Sequence, residues 1–251
     1  TYDETIERFM NVFEKVNGKT PFKTRFIIDH AETISDRNIE RIGALGGGIA
    51  VQHRMAFQGE YLVNRYGADA AQATPPVKQM LEAGVPVGIG TDATRVASYD
   101  PWVGLHWLTT GETVGGLALY PDEQLLSRED ALRLYTQGSA WFSGEQDRKG
   151  TLEPGMFADL AVLSEDYIGV TPDRIRNIVS VLTIMDGKVV YADDVFKALD
   201  PPIPPASPSW SPVEHVPSPA QRPFEGVERS CHDGCSHGCG IHGHAHLIAW
   251  D

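Results

Sequence analysis

The sequence predicts an α/β fold whose core is a parallel sheet covered by helices. Three observations carry this reading. Short apolar runs alternate with helical patterns through the first hundred residues, three of these runs stop at polar residues able to do chemistry, and beyond residue 147 the texture changes to short strands and Pro-Gly turns. Short apolar runs alternating with helices mark βα units and a sheet buried on both faces.

The elements follow in order. Residues 3–17 place Ile6, Phe9, Met10, Phe13 and Val16 at helical spacing. Thr1 and Glu4 have the spacing of a capping box, and Gly18 stands where a helix stops. "TRFIID" is the first apolar run and leads into His30. "SDRNIERIGALGG" reads as a helix capped by Ser35 and stopped by glycine. "GIAVQ" is the second run; it ends at His53 and Arg54, and a polar stretch follows. "TPPVKQMLEAG" reads as a helix with Thr74 as cap, Pro75 and Pro76 in the first turn and Gly84 at the end. "VPVGIG" is the third run and leads to Asp92.

Residues 99–144 are helix-rich, with Ser127 as a cap and Asp130 three residues later. From 147 to 195 the chain reads as a small β-rich region in which Asp186-Gly187 joins two strands, the strongest short hairpin signal. Residues 201–223 hold nine prolines, so they are expected to run extended without regular structure. The predicted division is therefore an α/β portion over 1–146, a small β portion over 147–200, and a Pro-rich, Cys/His-rich tail over 201–251.

Composition removes several function classes. A formal net charge of -13 argues against nucleic acid or an anionic membrane as partner, because both recruit basic faces. No apolar run has the roughly 18 residues a membrane span needs. The three cysteines, Cys231, Cys235 and Cys239, sit together in the tail instead of spreading through the fold. That is unlike a secreted disulfide framework and predicts a cytoplasmic protein.

The candidate chemistry lies at the run ends. His30 suits metal binding or acid/base work, although a strand-end histidine also serves as a polar cap on a backbone carbonyl. Asp92, among glycines that let backbone or ligand approach closely, suits metal binding or proton transfer from a metal-activated water. Asp also caps helices, but "TRVASYDP" reads as an irregular loop and weakens that alternative. His53 and Arg54 suit substrate contact, with a structural ion pair as the alternative for Arg54. His106, between apolar neighbours in "WVGLHWL", reads as a packed histidine. The tail segment "CHDGCSHGCGIHGHAH" has the thiolate and imidazole density that binds zinc, copper or nickel, without the spacing of a zinc finger.

Taken together, "RFIIDHAE", "VQHRMAFQGEY", "VGIGTDATRVASYDPW" and "KGTLEPGMFADLAVLSEDY" resemble the second half of a metal-dependent amidohydrolase, in the branch of the N-substituted formamide deformylases. The resemblance covers residues 1–200. It implies the C-terminal part of a (β/α)8 barrel over 1–146 and part of a small β-sandwich over 147–200. It also implies one or two divalent metals, usually zinc, at the carboxyl ends of the strands. Under it His30 matches the metal-ligating histidine after the sixth strand, and Asp92 matches the aspartate after the eighth, which is both ligand and proton shuttle. His53 and Arg54 fall after the seventh strand, where substrate contacts are expected.

The implied activity is hydrolysis of a non-peptide C–N bond by metal-activated water, with a small amide-type molecule as substrate. Tyr99, Trp102 and Trp107 suggest an apolar or aromatic group in the pocket. The family's remaining ligands have no counterparts here; "HAH" at 244–246 has the spacing of the first-strand pair but follows glycines in the tail. The resemblance therefore implies a further partner, the N-terminal half of the same barrel, as a preceding or separate chain. Two other functions stay open: a non-catalytic piece whose Cys/His tail binds metal, and a deaminase of the same superfamily.

Overall fold

Strands β1 (Ile27–Asp29), β2 (Gly48–Gln52) and β3 (Val87–Gly90) form a parallel sheet in the order β1-β2-β3. The computed structural model describes residues 1–93 and 95–202. Ile27 pairs with Gly48 and Ile49 with Val87, so all three strands run in step toward one edge. These are the three apolar runs of the sequence. Ile28, Ile49, Val51, Val87 and Ile89 are all buried, and β3 is buried at three successive positions. Burial without alternation is the mark of a sheet covered on both faces.

Helices α1 (Asp3–Asn17) and α2 (Asp36–Ala44) bury Ile6 and Met10, and Ile39 and Ile42, respectively. Helix α3 (Met55–Tyr66) occupies the stretch expected to be merely polar. Its buried side is Met55, Ala56, Gly59 and Leu62, a helical stripe interrupted in sequence by Tyr61, Asn64 and Arg65. Gly59 is part of the packing: a Cβ there would meet Thr113 Cγ2 at 2.6 Å. The short α4 (Ala68–Ala71) and α5 (Val77–Glu82) lead into β3, and α6 (Pro101–Thr110) follows it.

Three expected side-chain caps do not form, because the hydroxyls bond elsewhere. The Thr1 hydroxyl donates to the carbonyl of Asp29, 2.7 Å away, and Tyr2 holds the cap position of α1 without a side-chain bond. Ser35 stands at the cap of α2, but its hydroxyl donates to Asp3 Oδ1 at 2.9 Å. The same oxygen accepts from Ser35 N and Asn38 Nδ2, each at 2.8 Å. Burial works against the Asp3 charge, but the bonds from Asn38 and Ser35 outweigh it and hold the carboxyl below its ordinary range. Thr74 turns back to donate to Ala70 O at 2.6 Å, and α5 begins after both prolines.

Ser127 does cap α7 (Arg128–Arg133), accepting from Asp130 N at 3.1 Å. A π turn (Leu134–Gly138) and α8 (Ser139–Phe142) continue that helix. Gly138 lies against β3 so closely that a Cβ would sit 2.1 Å from Val87 O.

The second sheet is antiparallel: β4 (Leu160–Leu163), β5 (Ser180–Met185) and β6 (Lys188–Ala192), in the order β4-β5-β6. Asp186 (φ 48°) and Gly187 (φ 73°) are both left-handed, as a two-residue type I′ hairpin requires. Residues Thr1–Asp200 make one compact unit, and its core continues past residue 146 through Tyr167, Ile175 and Ile178. Most of the Pro-rich stretch and all of the Cys/His tail lie outside the described residues. Among the described residues no helix is long and apolar enough to cross a membrane.

Candidate active site

The parallel order sets the site. Because β1, β2 and β3 run the same way, the residues that follow them leave one edge of the sheet, where α/β proteins gather their chemistry. Neighbouring strands stand about 4.8 Å apart, so the backbones of β1 and β3 are separated by roughly 10 Å, a span long side chains or a small substrate can bridge.

His30 extends the pairing by one bond, its N–H donating to Ala50 O at 2.8 Å. The chain then turns sharply, with His30 at φ 73° and Ala31 at φ 49°. Left-handed backbone costs a non-glycine residue on the order of 1 kcal/mol, so the turn is maintained by its surroundings. The His30 Nδ1 atom is buried and has no hydrogen-bond partner among the described residues. A buried polar atom left without a partner is uncommon and calls for an explanation.

Asp92 is the third left-handed residue at this edge, with φ 52°. It is exposed and lies two residues beyond the end of β3. It does not cap the next helix: Asp100 caps α6, accepting from Trp102 N at 2.9 Å. Residues 91–93 and 95–100 thus hold no regular element, as the sequence implied.

His53 is fully buried at the end of β2. Nε2 lies 3.0 Å from Ser98 O, and Nδ1 lies 3.3 Å from the Tyr135 hydroxyl. Burial is the main influence on its pKa and lowers it, so the ring is held neutral. Arg54 is half-buried; its Nε donates to Gln58 Oε1 at 3.1 Å, and Nη1 is 3.6 Å from Glu32 Oε1. The ion-pair alternative for Arg54 is therefore realised, with part of the guanidinium still open.

The other candidates separate. His106 is buried in α6, with Thr110 Oγ1 3.4 Å from Nδ1 and Glu112 4.0 Å from Nε2. Trp107 is a fully buried core residue whose ring meets Tyr120 at 5.6 Å, tilted by 49°, which is the ordinary core role for an aromatic residue. Trp102 packs at 5.7 Å on Tyr167, and Tyr99 is exposed. A cavity of about 310 Å³ touches Leu81, Pro86, Val87, Leu134 and Trp141, at the amino end of β3 and away from Asp92.

Among the described residues no three His, Cys, Asp or Glu side chains come together as a metal site. The unpartnered Nδ1 of His30 and the exposed carboxylate of Asp92 have the donor chemistry a divalent ion takes, and a four-coordinate site needs more than these two. Sequence reasoning missed three residues: Glu32 beside Arg54, and Ser98 and Tyr135 around His53. Tyr135 carried no sequence signal beyond its place in an apolar stripe.

The profile of the amidohydrolase family matches residues 1–191, and the chain belongs to that family. It is 27% identical over 188 residues to N-substituted formamide deformylase of Arthrobacter pascens, covering 74% of this chain and 34% of that protein. It is 26% identical over 215 residues to a 5-methylthioadenosine/S-adenosylhomocysteine deaminase of Desulforamulus reducens, covering 78% of this chain and 46% of that one. Its structure is similar to that of an uncharacterized metal-dependent hydrolase of Pyrococcus horikoshii, with a TM-score of 0.57 and 28% identity over 68% of this chain and 34% of that chain. The chain thus spans less than half the length of these relatives.

Proposed function

We propose that the chain supplies the C-terminal part of a (β/α)8 amidohydrolase that hydrolyses the C–N bond of a non-peptide amide, with His30 and Asp92 as ligands of a divalent ion, zinc in the first instance. The observation that carries the reading is the pairing of two left-handed residues at one sheet edge: Asp92 with its carboxylate presented to solvent, and His30 with a buried nitrogen lacking a partner. No hairpin explains either one.

When bound, the ion polarises the scissile carbonyl and makes water a stronger acid. Asp92 accepts a proton from the attacking water and passes it to the leaving nitrogen. One water is consumed and the C–N bond breaks, giving a carboxylate and an amine; a formamide yields formate. Arg54 offers its open guanidinium N–H groups to the substrate, and His53 supports the site from beneath. The remaining ligands come from the rest of the barrel, preceding in the same polypeptide or carried by a second chain. Residues 147–200 are the share of a β-sandwich that the same missing part completes. Cysteines confined to 231–239 fit a cytoplasmic enzyme.

The relatives named as deaminases favour a second reading, attack at a ring amidine carbon with release of ammonia. The test is an assay of the zinc-loaded protein, completed by its barrel partner, on N-substituted formamides and on 5-methylthioadenosine. Formate and amine mark the first reading, and ammonia the second. Asp92→Asn is expected to lower turnover by about a hundredfold or more with circular dichroism unchanged; full activity in that variant sinks the assignment.

A further inference from the structure

His53 holds both ends of the Asp92 loop. Its backbone N–H donates to Gly90 O at 3.3 Å, the last residue of β3, and its ring meets Ser98 O at 3.0 Å, eight residues later. Between these anchors the chain makes its left-handed excursion at Asp92. Ser98 then accepts at Oγ from Asp100 N at 3.1 Å, and Asp100 caps α6. The loop is tied into the fold on its far side through Ser98, and His53 is what ties Ser98 to the sheet.

The chemistry of these contacts fixes the ring's hydrogen. A carbonyl oxygen only accepts, so Nε2 must carry the proton. A neutral imidazole with Nε2–H has a bare lone pair on Nδ1, and that atom faces the hydroxyl of Tyr135 at 3.3 Å, which can donate to it. Tyr135 sits in the π turn, a widened turn of the kind that often accompanies functional sites. Clearance for the pair comes from Gly104 in α6, where a Cβ would stand 2.2 Å from the Tyr135 oxygen and 2.7 Å from His53 Nδ1.

We propose that Tyr135 is a positioning residue for Asp92: by donating to Nδ1 it holds the His53 ring in the orientation that aims Nε2–H at Ser98 O, and that bond sets the loop that carries the carboxylate. The proposal rests on the role given above to Asp92, but its primary test does not use activity. In the full chain, imidazole nitrogen resonances of His53 are expected to show Nε2 protonated and Nδ1 bare. Tyr135→Phe keeps the ring and removes the donor. It is expected to keep Nε2 protonated, since Ser98 O still demands a donor, but to free the ring and speed amide exchange across residues 91–98, leaving exchange in β1 unchanged. A wild-type ring protonated at Nδ1, or a Tyr135→Phe variant with unchanged loop exchange, overturns the proposal.

In the completed enzyme Tyr135→Phe is expected to lower kcat about fivefold, the worth of one neutral hydrogen bond, with KM unchanged. His53→Gln retains an N–H donor near Ser98 O without an Nδ1 acceptor, so in that background Tyr135→Phe should have no further effect. An undiminished fivefold loss in the His53→Gln background contradicts coupling through His53. If Asp92→Asn proves fully active while the tautomer and exchange results hold, the role of Asp92 fails and the loop-positioning contact stands.

Discussion

Asp92 and Asp186 share a backbone conformation, φ 52° and φ 48°, and lie in sheets of opposite kind. Asp186 is the first central residue of a two-residue hairpin, followed by left-handed Gly187, and the register Met185 to Lys188 accounts for its geometry. Its amide also donates to Asp159 Oδ1 at 2.7 Å. Asp92 ends a parallel strand, with no partner strand to turn toward. The same strain is therefore turn chemistry in one sheet and a feature still to be explained in the other. A left-handed residue points to function only where local geometry does not already require it.

The two sheets differ in burial as well. The parallel strands β2 and β3 are buried on successive residues, whereas β6 exposes Val190 and Tyr191. One sheet is the centre of the core, and the other is a covering at its margin.

These contrasts can be broken experimentally. The largest expected difference comes from one substitution made at both aspartates. Asp92→Asn should remove about two orders of magnitude or more of turnover, while Asp186→Asn, which keeps a residue tolerant of left-handed backbone, should leave turnover and stability alone. Equal effects at both positions would erase the distinction. Next, Ile49→Ala in β2 should cost about 2–5 kcal/mol, against about 0.5 kcal/mol or less for the half-exposed Val190→Ala; urea midpoints at constant slope measure both. Smallest, Asp186→Ala should cost about 1 kcal/mol through left-handed strain, and Asp186→Gly should recover it. An Ala variant as stable as the Gly variant would mean the hairpin had changed turn type.

Much of this was legible in the sequence. The three parallel strands follow from the apolar runs before His30, His53 and Asp92, and the hairpin from Asp186-Gly187. Burial makes such signals local, because a covered strand is apolar wherever it is buried. Helix α3 was hidden because its buried stripe includes Gly59, whose role is close approach to Thr113 and Leu119. The side-chain caps at Thr1, Ser35 and Thr74 do not form because the Asp29 carbonyl takes the first hydroxyl, the Asp3 carboxylate the second and the Ala70 carbonyl, one turn back, the third. At the site, the strand-end residues were visible one by one, but the triad of Tyr135, His53 and Ser98 joins three segments and has no local signature. Tyr135 reads as one more apolar residue until the π turn brings it to His53.

On the proposed function, the chain's metal chemistry belongs to the carboxyl edge of β1–β3 and not to the Cys/His tail. The direct measurement is zinc content per protein after exhaustive dialysis, for the completed enzyme, for a variant ending at residue 202, and for the double variant His30→Ala, Asp92→Asn. Zinc is expected to stay with the truncated protein and to fall in the double variant. Zinc that leaves with the tail and is indifferent to His30 and Asp92 would contradict that reading.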